Sequence, residues 1–183
     1  MSNFQWQPEA QEHCLINGML KPISEIPNLL TNRGFLYADG FFETIRICGG
    51  TPQHLELHWN RIASSIDAYR LDNSEGLTKD KLSQSLLMLC QQNGIEQGGR
   101  VRITFNRAGG GRYRPQSNAM EWLAQAESLT ENMFPEHERG LIVDVYSKIK
   151  KLHGPFANIK NLSATLYVQA AMWASENELD DAL

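Results

Sequence analysis

From Val101 to Asn106 the chain alternates strictly, with Val101, Ile103 and Phe105 set against Arg102, Thr104 and Asn106. A period of two puts each set on its own face of an extended strand, so the segment predicts a sheet with one buried face and one polar face. It runs into the loop Arg107-Ala-Gly-Gly-Gly-Arg-Tyr-Arg-Pro115. The segment Gly34–Thr51, with Phe41, Phe42, Thr44, Ile45 and Ile47 and the turn pair Gly49-Gly50, predicts a strand entering a hairpin. Between these segments the period lengthens. Leu55, Trp59, Ile62, Ile66 and Tyr69 recur at helical spacing, leaving His58, Arg61 and Ser65 on another face, and Leu82, Leu86, Leu89 and Cys90 form a second stripe capped by Thr78 and ended by Asn93-Gly94.

Further along, Met120–Ala126 reads as a short extended crossing, and the polar stretch Glu127–Arg139, containing Pro135, as a connector. Leu141–Val145 predicts a strand. A helix is expected over Leu162–Asn177, with Leu166, Ala170 and Trp173 on the face of Leu162, and Asp180–Leu183 begins another strand. Strand, helix and strand in that order make a crossover unit whose helix must bury its apolar face on a sheet. The expected class is α/β, with a small N-terminal domain over 1–120, a connector over 121–138, and the start of a larger C-terminal domain over 139–183.

The 183 residues, 42% apolar and 21% charged, suit a globular chain, and the net charge of -4 opposes non-specific attraction to nucleic acid. Cys14, Cys48 and Cys90 are odd in number and widely spaced, which predicts neither a disulfide framework nor a zinc site and fits a reducing cytoplasm. No apolar run approaches the ~20 residues of a membrane span, so neither a membrane nor a nucleic-acid partner is expected. The motifs G-x-x-x-x-G-K-[ST], G-x-S-x-G and H-E-x-x-H are absent. His54 and His58 are four apart but have no obvious third metal ligand, so a surface or capping role is expected for them and no metal. The loop Gly109–Gly111 could wrap an anion with backbone N–H groups, or could simply be a hairpin tip. Lys160, among Lys148, Lys150 and Lys151, is unremarkable by itself; its flanks Ile159 and Leu162 suggest a partly apolar site that would favour a neutral amine.

Three stretches combine into something more specific: Asn32-Arg-Gly-Phe-Leu-Tyr-Ala-Asp-Gly-Phe-Phe-Glu-Thr-Ile-Arg46, His58-Trp-Asn-Arg61-Ile and Asn158-Ile-Lys160-Asn-Leu. In order and spacing they resemble the fold type IV pyridoxal-phosphate enzymes, the class IV aminotransferase family that includes branched-chain and D-amino acid aminotransferases and 4-amino-4-deoxychorismate lyase. The resemblance implies pyridoxal 5'-phosphate as cofactor, Lys160 as its Schiff-base lysine and catalytic base, and Arg61 as a ligand of its phosphate. It also implies Tyr37, Phe42, Thr44 and Arg46 as pocket residues, with Arg112 and Arg114 as a trap for the substrate carboxylate. Glu43 is expected to organise the site through hydrogen bonds. Ser163 stands where the lyase and D-amino acid branches usually carry asparagine.

The implied function is transamination of an amino acid with a 2-oxo acid, in a homodimer; the alternatives are the lyase reaction and a non-catalytic fragment. In the family, the acidic partner of the pyridine nitrogen and the Ser/Thr loops of the phosphate cup lie beyond the position of Leu183, so this stretch alone is expected to be inactive.

Overall fold

The computed structural model describes residues 13–23, 32–134, 138–151 and 153–183. They fall into two compact units, one reaching as far as Met133 and also holding Ile159–Leu162, the other comprising Phe134–Asn158 and Ser163–Leu183.

The first unit is built on a six-stranded antiparallel sheet. Its strands are β1 (His13–Ile16), β2 (Met19–Pro22), β3 (Gly40–Cys48), β4 (Thr51–Pro52), β5 (Gly99–Arg107) and β6 (Met120–Ser128), in the spatial order β2-β1-β6-β5-β3-β4. The expected hairpin turns at Gly49-Gly50, and the alternation over Val101–Asn106 lies in β5 with Val101, Ile103 and Phe105 fully buried. Met120–Ala126 does more than cross: it belongs to a nine-residue strand paired with β5 along its whole length and with β1 on its other side. Its register sets Phe41, Phe105 and Trp122 side by side on one face, and their rings follow: Phe41 and Phe105 stack at 4.8 Å, Phe105 and Trp122 at 6.3 Å.

That face is the core. Ile62 and Ile66 from α2 (Leu55–Tyr69) pack on it, as do Leu82, Leu86, Leu89 and Cys90 from α3 (Lys79–Gln92), where the Thr78 hydroxyl caps the helix by accepting from Lys81 N. Ser65, expected on the polar face of α2, is instead buried, its hydroxyl donating to the Arg61 carbonyl one turn back at 2.7 Å. A second departure precedes β3. Arg33–Tyr37, which overlaps the stretch expected as strand from Gly34, forms a short helix, α1, because the Asn32 side chain accepts from Phe35 N and caps it. Gly40 then opens β3 where a Cβ would meet Phe105 O at 2.1 Å, so only glycine lets the two strands approach there.

The second unit carries β7 (Val143–Asp144), α4 (Thr165–Glu176) and β8 (Asp181–Ala182), with β7 and β8 parallel, as a crossover requires. Tyr146 lies 5.6 Å from Trp173, and Ala174 is buried. Helix α4 begins three residues after the expected start at Leu162, whose N–H donates to Gly40 O at 3.1 Å in the first unit.

Candidate functional site

The edge of β3 gathers the site. Phe42 N donates to the Lys160 carbonyl at 2.8 Å, Leu162 N donates to Gly40, and Phe41 pairs with Asn161, so residues 159–162 lie as a short extended segment against the start of the strand. Ile159 is buried and anchors the segment, while the Lys160 side chain is exposed. Its Nζ sits 4.8 Å from the Phe42 ring centroid and has no carboxylate partner among the described residues.

Phe42, Thr44 and Arg46 share the open face of β3, opposite the core. Register places Thr104 across from Phe42 and Arg102 across from Thr44. The Arg102 guanidinium stacks 3.8 Å from the Phe42 centroid and has no acidic partner among the described residues; its burial, with Arg100 nearby, pulls its pKa below the usual arginine value. A cavity of about 380 Å³ is lined in part by Thr104, Asn106, Glu121, Leu123 and Leu162. Asn106 and Asn32 both donate to Glu121 Oε2, at 3.1 and 3.4 Å.

On the core side, Glu43 is 1% exposed. Arg61 reaches it from α2, Nε donating to Oε1 and Nη2 to Oε2 at 2.7 Å, and His58 Nδ1 lies 2.8 Å from Oε2. Burial alone would push the Glu43 carboxyl up, but the hydrogen bonds and charges of Arg61 and His58 outweigh it and hold the group below the ordinary glutamate value. The same hydrogen bond pushes Arg61 further up. His54 occupies the N-cap position of α2 without a side-chain cap bond.

The other expected site residues are distributed more widely. Tyr37 packs against Tyr113 at 5.9 Å and under Arg33 at 4.9 Å. Arg46, toward the far end of β3, gives its Nη2 to the carbonyls of Glu131 and Met133. Arg112 and Arg114 stand exposed in the glycine-rich loop, without an acidic partner among the described residues. Three groups that sequence reasoning missed hold that loop. Arg33, only 4% exposed, donates Nε to Asp39 at 2.8 Å and Nη1 to the carbonyls of Gly110, Gly111 and Arg112, while Arg107 Nε donates to the same Asp39 oxygen at 3.0 Å. Arg102 was missed too, although its polar phase in the alternation placed it on the face of Phe42.

This fold is similar to that of several solved structures. A branched-chain aminotransferase of Thermoproteus uzoniensis, solved with norvaline, aligns with TM-score 0.76 at 19% identity over 93% of this chain and 58% of that one. The branched-chain amino acid aminotransferase of Escherichia coli gives TM-score 0.73 at 18% identity over 94% and 57%. A Legionella pneumophila protein described as a candidate 4-amino-4-deoxychorismate lyase gives 0.67 at 20% over 87% and 57%. This chain thus spans less than two thirds of the length of these relatives, and no curated protein sequence matches it. The Amino-transferase class IV family matches residues 40–183, and the chain belongs to that family.

Proposed function

We propose that this chain forms the cofactor-anchoring part of a pyridoxal-phosphate-dependent aminotransferase acting on an amino acid. The observation that carries the reading is the pairing at β3: Lys160 is pinned by backbone hydrogen bonds beside Phe42, and Arg61 is bound to the adjacent Glu43.

Pyridoxal phosphate needs an amine for its aldehyde, a cation for its phosphate and an apolar surface for its ring. The residues present suit all three. Lys160 Nζ is unencumbered by any carboxylate among the described residues, the Arg61 side chain is 43% exposed, and Phe42 offers a ring face. When bound, the cofactor supplies the electron sink for a carbanion at the substrate Cα. Lys160 would hold the cofactor at rest and, once released, its amine would take the Cα proton. Arg61 would hold the phosphate through its guanidinium fork. Arg102, half-buried over Phe42 with no acidic partner among the described residues, is a docking point for a substrate carboxylate on the open face. In this reading the active form is a homodimer.

The lyase reaction on an aminated chorismate is the second reading, supported by the loop that Arg33 holds, which carries Arg112 and Arg114 for a second carboxylate. Incubation with pyridoxal phosphate, borohydride reduction and peptide mapping test the anchor: the label is expected at Lys160 and absent in Lys160→Ala, and label on another lysine would sink the assignment. D-alanine, branched-chain L-amino acids and aminodeoxychorismate then separate the reactions.

A further inference from the structure

Neighbouring residues of a strand point to opposite faces, so Phe42 and Glu43 present the two sides of β3 to different partners. A carboxylate buried on a core face is costly unless it is paired, and both oxygens of Glu43 are taken by Arg61 and His58. The arginine contact is side-on. It uses the Nε/Nη2 edge of the guanidinium and leaves Nη1 without a hydrogen-bond partner among the described residues, on a side chain that is itself 43% exposed. His58, one turn before Arg61 on α2, touches the same Glu43 oxygen, and Ser65, one turn after it, donates to the Arg61 carbonyl. An arginine so exposed would otherwise spread over many rotamers. Here a fixed, buried carboxylate selects one of them.

We infer that Glu43 is the positioning residue for Arg61: gripped by His58, it holds the guanidinium by one edge so that the Nη1 end is presented, pre-set, to a phosphomonoester. The inference rests on the reading of Arg61 as the cofactor-phosphate ligand. Glu43 itself touches neither cofactor nor substrate in this role. A side-on pair and an end-on phosphate use different N–H groups of one guanidinium, so the two contacts coexist without competition. His58 acts one step further out, donating Nδ1–H to the carboxylate and keeping both Glu43 oxygens in the plane that Arg61 meets.

The test compares two probes on the full chain, pyridoxal phosphate and pyridoxal, which shares the aldehyde and ring but lacks the phosphate. Releasing a long side chain from one rotamer is worth enough that Glu43→Gln is expected to weaken pyridoxal phosphate about tenfold and leave pyridoxal unchanged. Glu43→Gln placed on Arg61→Gln should add nothing, because the residue it positions is gone. Equal loss for both probes, or full additivity with Arg61→Gln, would mean that Glu43 merely supports the fold and would overturn the proposal. If Arg61→Gln itself leaves pyridoxal phosphate affinity intact, the phosphate reading of Arg61 fails first, and the proposal with it. His58→Asn, which keeps the Glu43–Arg61 pair, gives a smaller phosphate-specific loss in the same direction, and a thermal transition on each variant shows that the comparison is between folded chains.

Discussion

A carboxylate with 1% of its surface exposed survives in a core only because charge and hydrogen bonds reach it, and this ties Glu43 to pH. Its folded pKa is depressed, by Arg61 and His58 acting against burial. Below the ordinary carboxylate range the unfolded chain therefore binds the extra proton more readily than the folded one. The pair's stabilisation is present above the unfolded Glu pKa and is lost as pH falls through the folded value. Melting temperature measured across the acid range should fall on that limb, and Glu43→Gln should flatten it; an unchanged slope would mean that Glu43 does not govern acid stability. Arg102 offers a second residue-scale test. With Arg102→Gln the stacked cation over Phe42 disappears, and binding of a carboxylate substrate analogue should weaken about tenfold or more, by the ~1.5–3 kcal/mol of a hydrogen bond to a charged group, as read by calorimetric titration. In the sequence, Lys160 and Arg61 stand out as candidates only through motif spacing, since a lone lysine or arginine is a surface charge by default. A hydrogen-bonding role for Glu43 was legible, but not that Arg61 and His58 would be its partners, because a strand-to-helix ion pair 18 residues apart depends on how α2 lies across β3.

Elements were more legible than sites wherever a period persisted. The stripe Leu82, Leu86, Leu89 and Cys90 predicted α3, and all four are buried. Leu86→Ala should cost about 2–5 kcal/mol by the transfer and cavity terms, and Thr78→Ala about 1 kcal/mol through the lost cap, both read from urea unfolding. Cys90 belongs to the same argument: burial pushes its thiol up to about 11, so it should resist disulfide reagents at neutral pH until the chain unfolds. The period misled at two places. Leu162 has the spacing of the α4 face, yet its N–H is claimed by Gly40 at the edge of β3, and a hydrogen bond to a strand edge outranks a weak helical phase. The stretch from Gly34 reads as β-rich, yet the Asn32 cap and the Arg33–Asp39 pair turn Arg33–Tyr37 into a helical turn. Both misreadings lie beside the candidate site, where tertiary contacts override local preference.

At the scale of the whole chain, the two units differ in how they treat apolar surface. The first closes its core with α2 and α3 on one face of a six-stranded sheet. The second has a parallel pair only two residues long, and it exposes Leu141, Ile142 and Val145, together with Tyr167, Val168 and Met172 on α4, each at 53% or more. Parallel strands are ordinarily covered on both faces, and exposed apolar surface on this scale invites association. The composition could not foretell this, since 42% apolar residues would suffice for a well-filled interior if they were shared evenly between the units. The chain should therefore bind a hydrophobic dye and self-associate as concentration rises, measured by dye fluorescence and sedimentation velocity. Lysine at Val168 and Met172 together should reduce both signals while leaving the urea transition reported by Trp122, in the aromatic stack of the first unit, where it was. A shift of that transition along with the dye signal would show instead that the two units unfold as one, and that the exposed side chains of α4 contribute to the stability of the sheet.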